Sequence, residues 1–389
     1  MIDTKTQQLG TMFEILAEQL DVPDHIYKDM VSKYQHLGNW IKEDSKDKYR
    51  ADAEIYPQGS VNLGTTIPPV KANDGYDVDL VYRRDLAKSG ITQADLVNQT
   101  GGQLTRYIEY LKRQGESVPQ LMPRRRCWAL NYEGHFHMDV LPAIPDDEAA
   151  VYSLRNQGDA ILITDRELRA WQHSNPKGYA DWFYERESAI LPEQRRLAAK
   201  AFNVGVESIP IERVRTPLRR AIQLLKRHRD IRYVGDPDDK PISIIITTLA
   251  ALAYANQTNA FDAFDHIARN MKSFIKPQNG GWWIGNPVNP KENFADKWSE
   301  HPQRAKRFFE WVTQVETDLA NAQRQVGIHQ FAKSLSPIFG TEIVEKSVEK
   351  FGRRMDERHQ QGDLRMSAKT GALGGAGVVV PKNTWYGEE

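Results

Sequence analysis

The sequence predicts an α+β protein whose first half is rich in strands and whose second half is mostly helical. Between residues 54 and 141, short apolar runs alternate with turn residues, which is typical of strands. From residue 176 onward, apolar residues recur at helical spacing between capping signals. The 389 residues, 40% of them hydrophobic, suffice for one large or two ordinary domains with a substantial core.

Each half contains its own set of predicted elements. The first half is predicted to contain two helices within 5–43, a strand at 53–56, a short helix after the Gly-Ser pair, a strand at 77–82, a helix at 95–113 and a hairpin of strands at 126–132 and 135–141. Helices are predicted in the second half at 176–188, 192–202, 216–231, 241–256, 260–275, 300–322 and 341–360. The segment 276–290, rich in Gly, Pro and Trp, is predicted to be irregular, and the residues from 365 onward are predicted to have no regular period.

Composition restricts the classes of function. Lys plus Arg and Asp plus Glu both number 52, so there is no global basic field for nonspecific nucleic-acid binding. The single Cys127 excludes an intramolecular disulfide and a cysteine-rich zinc site. Neither a signal peptide nor an apolar run of roughly 20 residues is evident, so we expect a cytoplasmic protein without a membrane partner.

Two carboxylates follow a Gly-Ser turn at a spacing that is typical of metal-assisted nucleotide binding. Because side chains alternate along a strand, Asp77 and Asp79 share one face, while Val78 and Leu80 pack into the sheet. A Gly-Ser turn upstream offers backbone N–H groups and a hydroxyl to an anion. The two features together predict a site for a nucleoside triphosphate and its metal ions.

A third carboxylate lies on a later predicted strand. Asp139 is flanked by Met138 and Val140, which face the opposite side of that strand. If this strand lies beside the Asp77–Asp79 strand, the three carboxylates converge and suit two Mg²⁺ ions about 3.5 to 4 Å apart.

Two candidate phosphate contacts come from the helical half. Lys226 lies beside the apolar stripe of a basic helix and is predicted to reach a triphosphate. Ser243 falls in the first turn of the next helix, where free N–H groups favour an anion. An ordinary N-terminal cap is the alternative for Ser243.

The chain resembles the nucleotidyltransferases with a DNA polymerase β-like palm, and more narrowly the bacterial cGAS/DncV-like nucleotidyltransferases (CD-NTases) of CBASS anti-phage defence. The resemblance covers about residues 5–330. The segments that carry it are PQGSVNLGTTI at 57–67, YDVDLV at 76–81, HMDVLP at 137–142, LLKRHRD at 224–230, PISIII at 241–246 and NPVNP at 286–290.

The resemblance implies a two-lobed α+β fold with a central active-site cleft, a mixed palm sheet and a helical C-terminal lobe. It implies N-terminal helices at 1–52 that pack on both lobes, a palm at 53–170, a helical lobe at 171–364 and a Gly-rich tail at 365–389. It also implies roles for the candidate residues: Asp77, Asp79 and Asp139 as catalytic ligands of two Mg²⁺ ions, with Mn²⁺ as the alternative, and Gln58, Gly59, Ser60, Lys226 and Ser243 as nucleotide contacts.

The implied function is condensation of nucleoside triphosphates, ATP with GTP or another nucleotide, into a cyclic di- or trinucleotide with release of pyrophosphate. The product would activate a separate anti-phage effector. Some relatives are attached through their C-terminus by a ubiquitin-like ligase, and the tail allows this, although a disordered end is the simpler interpretation. No double-stranded DNA activator is expected, because the chain lacks a His-Cys zinc cluster and excess basic charge.

Two alternatives stay open from the sequence. The same site would serve a nucleotidyltransferase that modifies an RNA, a small molecule or a protein. It would also serve a noncatalytic sensor that binds a nucleotide without turnover.

Overall fold

The structure is a computed structural model that describes residues 4–43, 53–71, 74–133, 136–150, 156–168, 170–278, 280–325, 327–368, 371, 373–374 and 377–381. The chain divides into two compact units. The sheet unit comprises Val22–Val214 and Gly285–Phe294, and the helical unit comprises the remaining residues. Among the described residues, each helix is too short or too polar to span a lipid bilayer.

The α-helices follow the predicted order. In chain order they are α1 (Thr4–Glu18), α2 (Asp24–Glu43), α3 (Gly59–Leu63), α4 (Gln93–Gln114), α5 (Pro176–Arg186), α6 (Leu191–Phe202), α7 (Pro217–Arg232), α8 (Ser243–Ala253), α9 (Ala260–Asn270), α10 (Pro302–Arg324), α11 (Ile328–Phe339) and α12 (Thr341–Gln361). All were predicted at these places except α11, so the helical character of the second half is confirmed.

The sheet unit is built on one mixed sheet. Its strands are β1 (Ala53–Pro57), β2 (Tyr76–Arg84), β3 (Gln120–Pro123), β4 (Trp128–Tyr132), β5 (Phe136–Pro145), β6 (Ile161–Ile163) and β7 (Gln172–Ser174). The strand order is β1-β2-β5-β4-β3, with β6 paired to β5 and β7 to β6. Only β2 and β5 run parallel among these pairs, and the others are antiparallel. The predicted hairpin of β4 and β5 is confirmed, while its connecting residues 134 and 135 lie outside the described residues.

One face of this sheet packs against the two long helices α2 and α4. Val78, Leu80 and Tyr82 of β2 are fully buried and belong to a cluster that includes apolar residues of α2 and α4. Because strand side chains alternate, the odd-numbered residues of β2 must point to the other face. The hydrophobic core therefore fixes the direction of the two acidic side chains.

The helical unit is organised around α7, whose residues Pro217 to Arg229 are all buried. Within it, His228 accepts a hydrogen bond at Nδ1 from the Trp311 indole N–H at 3.1 Å, which leaves Nε2 to face Asp318 at 3.1 Å. This arrangement satisfies a buried imidazole through two other side chains of the same unit.

The segment 276–290 was predicted to be irregular, and this prediction was wrong. It forms two short antiparallel pairs, β8 (Lys276–Gln278) with β9 (Gly281–Trp283), and β10 (Gly285–Asn286) with β11 (Asn289–Asn293). β8, β9 and β10 have only two or three residues, which is too short to show a period of two in the sequence, and the sequence NPKEN of β11 has no apolar alternation.

The described part of the tail is also more regular than predicted. β12 (Arg365–Met366) pairs with both β13 (Leu373–Gly374) and β14 (Val378–Val379). Gly377 has φ of +120°, and a Cβ there would collide with the carbonyl of Met366. Glycine is therefore required at position 377.

Candidate active site

The central feature of the sheet unit is the register between β2 and β5. Asp79 lies directly opposite Asp139, and Asp77 lies opposite His137. Asp77 is exposed, and Asp79 and Asp139 are half-buried, whereas Val78 and Met138 between them are fully buried on the opposite face. The structure therefore brings the three predicted carboxylates to the same face of two adjacent strands.

The donor chemistry at this face fits a hard divalent ion. Carboxylate oxygens are the ligands that Mg²⁺ prefers, and such sites use one or two carboxylates together with water and substrate phosphates. Within the described ranges, no three or more His, Cys, Asp or Glu side chains by themselves form a group that could hold a metal ion. Asp79 and Asp139 are nevertheless neighbours across a single strand spacing, which is about 4.8 Å.

Gly59 lies directly beside the Asp79 carboxylate. Its φ is +58°, and an added Cβ would lie 2.8 Å from Oδ2 of Asp79. The preceding Gln58 is half-buried and donates its backbone N–H to the carbonyl of Asp79 at 2.8 Å. The chain can turn this closely past the carboxylate only because position 59 has no side chain.

Ser60 lies immediately beyond this bend, at the start of α3. Its hydroxyl lies 3.0 Å from the Thr66 hydroxyl, and its carbonyl accepts a hydrogen bond from Thr65 N–H at 2.9 Å. Gly64, in the left-handed conformation, ends the helix. Hydrogen bonds of Ser60 with Thr65 and Thr66 thus hold the predicted Gly-Ser turn next to the carboxylates. The sequence analysis missed the contribution of Thr66.

Cys127 is a second residue that the sequence analysis did not connect with the site. Ala129 of β4 lies opposite Asp139, so Cys127, two residues earlier, points to the same face and is a diagonal neighbour of Asp139. Burial raises the pKa of the Cys127 thiol to about 12, and a hydrogen bond with the Asp139 carboxylate adds to the rise. The thiol is therefore neutral at neutral pH and serves Asp139 as a hydrogen-bond donor.

The two remaining candidates lie in the helical unit. Lys226 is buried on α7. Ser243 is exposed at the first position of α8, after Ile242 as the N-cap, and its Oγ accepts a hydrogen bond from Nη1 of Arg229 at 2.8 Å. The alternative of Ser243 as the N-cap is therefore wrong, and its hydroxyl is oriented by a buried arginine.

Comparison of the chain with known proteins identifies its family. Residues 8–187 match the family model of the Second Messenger Oligonucleotide or Dinucleotide Synthetase domain. A c-di-GMP synthase of Roseivirga ehrenbergii is 30% identical over 393 residues, which cover 99% of this chain and 99% of that protein. The chain belongs to the bacterial CD-NTase family.

Further CD-NTases agree with this assignment. The cyclic dinucleotide synthase CdnG of Bradyrhizobium diazoefficiens is 22% identical over 415 residues, which cover 97% of this chain and 94% of that protein. The solved structure of this CdnG in complex with GTP matches with a TM-score of 0.69 at 19% identity, covering 88% of this chain and 99% of that one. The predicted CD-NTase fold, with a polymerase β-like palm, a mixed sheet and a helical region, is confirmed.

Proposed function

We propose that this CD-NTase condenses nucleoside triphosphates into a cyclic dinucleotide with release of pyrophosphate, and that GTP is its substrate. The register that sets Asp79 opposite Asp139, beside the Gly59 bend, is the observation that carries the proposal. The preference for GTP rests on two relatives, one named a c-di-GMP synthase and the other solved in complex with GTP. ATP, alone or with GTP, is the competing substrate.

The three aspartates would hold two Mg²⁺ ions, or Mn²⁺ in their place. When bound, such ions lower the pKa of an attacking hydroxyl and neutralise charge on the transferred phosphate and on the leaving pyrophosphate. Asp139 stands opposite Asp79 and has the neutral Cys127 thiol as a neighbour, so we assign it, with Asp79, to the ions that activate the acceptor hydroxyl.

The bend at Gly59 and the Ser60 hydroxyl would bind the donor triphosphate. Gln58 fixes this bend through its backbone bond to Asp79, which ties the nucleotide contact to the carboxylate strand. Lys226 and Ser243 would contact the same triphosphate from the helical unit, the first as a positive charge and the second as a hydroxyl donor.

The bond changes balance without a further reactant. The acceptor 3′- or 2′-hydroxyl oxygen bonds to the α-phosphorus of the donor, the bond to pyrophosphate breaks, and the hydroxyl proton leaves to solvent. A second round within the linear intermediate closes the ring and releases a second pyrophosphate. The product would act on a separate anti-phage effector, and the tail remains a candidate for attachment by a ubiquitin-like ligase.

The experiment is incubation of the purified chain with the four nucleoside triphosphates, singly and mixed, with Mg²⁺ and no other acceptor. We expect a cyclic dinucleotide by mass spectrometry and two pyrophosphates for each product molecule. Transfer only after an RNA, small molecule or protein is added would instead support the acceptor-modifying alternative. Nucleotide binding without pyrophosphate release would support the noncatalytic sensor.

A further inference from the structure

The helix that contains Ser60 is too short to be stable without contacts to the rest of the protein. α3 spans five residues, Gly59–Leu63. Isolated helices shorter than about 12 residues are marginal in water, because the first turn costs more conformational entropy than one hydrogen bond returns. The position of Ser60 must therefore be set by contacts that other parts of the chain make with α3.

One such contact comes from a helix far away in the sequence. The Tyr184 hydroxyl of α5 donates a hydrogen bond to the Asn62 carbonyl at 2.6 Å. The last carbonyls of a helix have no partner within the helix, so Asn62 presents an acceptor that this phenol satisfies. On its other side, α3 is tied to β2 through the bond from Gln58 N–H to the Asp79 carbonyl.

The helix that presents Tyr184 is itself firmly placed in the sheet unit. Asn175 caps it by accepting from Gly178 N–H at 2.9 Å, and Lys177 pairs with Glu54 of β1 at 3.0 Å. Trp182 and Phe183 are buried beside it. The Tyr184 hydroxyl therefore contacts α3 from a capped and packed helix and not from a loop.

We propose that Tyr184 is a positioning residue for nucleotide binding, which acts by holding the Gly59–Ser60 bend against the carboxylate face. The inference rests on the proposed function, because it assigns the bend to the triphosphate. The role assigned to Tyr184 acts through its hydrogen bond to the Asn62 carbonyl of α3. Its loss is expected to weaken binding of the nucleotide more than it slows the chemical step.

Tyr184→Phe removes only the hydroxyl and keeps the packed ring. A hydrogen bond of this kind is worth about 1 kcal/mol, so we expect the KM for GTP and the calorimetric Kd of GTP with Mg²⁺ to rise about fivefold. We expect kcat and the melting temperature to stay close to the wild-type values. The matched control is Tyr254→Phe, which removes a hydroxyl bonded to the Gln257 carbonyl at 2.8 Å in the helical unit.

A double-mutant cycle with Ser60→Ala distinguishes positioning of the Gly59–Ser60 bend from a general contribution of Tyr184 to stability. If Tyr184 acts through the bend, Tyr184→Phe should change the Kd much less once the Ser60 hydroxyl is gone. A purely structural role would lower the melting temperature and leave the Kd unchanged. An additive effect, or a Kd for Tyr184→Phe equal to that of Tyr254→Phe, would overturn the inference.

The result also distinguishes this inference from the proposed function. A wild-type chain that binds GTP but makes no cyclic product would refute the function, while a weaker Kd in Tyr184→Phe would still support the positioning role. A wild-type chain that does not bind any nucleoside triphosphate would refute both.

Discussion

Asp79 and Asp139 stand directly opposite each other on the parallel strands β2 and β5, with both side chains on the face opposite to the buried Val78 and Met138. Neighbouring strands lie about 4.8 Å apart, so the two side chains are near enough to share an ion. Two segments far apart in sequence thus contribute to one site because the buried residues beside each aspartate force the same orientation.

Replacement of Gly59 by alanine should damage both activity and stability. The added Cβ would meet Oδ2 of Asp79 at 2.8 Å, and the positive φ of 58° disfavours any side chain. We expect a stability loss above the cost of backbone strain alone, which is about 1 to 2 kcal/mol, together with loss of product formation. Urea unfolding and a product assay measure the two effects.

Gly115→Ala is the matched control for that change. Gly115 has φ of +70°, but nothing lies within 4 Å of an added Cβ. Gly115→Ala should lower the free energy of unfolding by the backbone strain alone and keep wild-type activity. Equal activity of Gly59→Ala and Gly115→Ala would contradict the close approach to Asp79.

Asp165 should make stability sensitive to acid. Burial acts to raise its pKa, but hydrogen bonds from Arg125 and Arg126 outweigh burial and hold the pKa at about 2, below the ordinary value of 3.8. Because the pKa is lower in the folded chain, the stabilisation is complete above pH 3.8 and is lost as the pH falls towards 2. Asp165→Asn should therefore lower stability at pH 7 by on the order of 2 kcal/mol.

Thermal melts of wild type and Asp165→Asn across the acid range measure this effect. The difference between them should shrink as the pH falls below 3.8. Asp181→Asn, an exposed position on α5, should change stability by less than about 0.5 kcal/mol at every pH. A gap between wild type and Asp165→Asn that does not depend on pH would contradict the assigned ion pairs.

Lys226 should affect nucleotide affinity. Lys226→Met keeps the buried stem and removes the charge, so the KM for GTP should rise about 10-fold or more if the ammonium binds a phosphate. Lys346→Met, which removes an exposed lysine paired with Glu342, should leave the KM unchanged. Steady-state kinetics on both variants checks this, and an unchanged KM for Lys226→Met would remove Lys226 from the site.

The sequence predicted the acidic face because the alternation of Asp77 and Asp79 with buried Val78 and Leu80 is a local signal. It also predicted most helices, whose apolar spacing extends over several turns. The pairing of β2 with β5 was stated only as a condition, since strand order depends on packing that no local pattern contains.

Other parts of the site could not be read from the sequence. The β4–β5 register brings Cys127 next to Asp139, and the Tyr184 hydroxyl donates a hydrogen bond to the Asn62 carbonyl. The first contact depends on the register of the hairpin and the second joins residues 122 positions apart, and neither cysteine nor tyrosine carries a sequence signal for such a contact. The strands β3, β6, β7 and β8 to β14 were missed because most have only two to four residues, and the five residues of β11 show no apolar alternation.

The most direct test of the central claim is cyclic dinucleotide synthesis by Asp79→Asn and by Asp139→Asn, with GTP and Mg²⁺ at saturating concentrations. Asp85→Asn, an exposed position just after β2, is the control. We predict that each of the first two variants keeps the wild-type circular dichroism spectrum and forms no product, as should the double variant Asp77→Asn/Asp79→Asn, while the control keeps wild-type activity. Product formation by a folded Asp79→Asn or Asp139→Asn variant at a rate within about 10-fold of wild type would contradict the account.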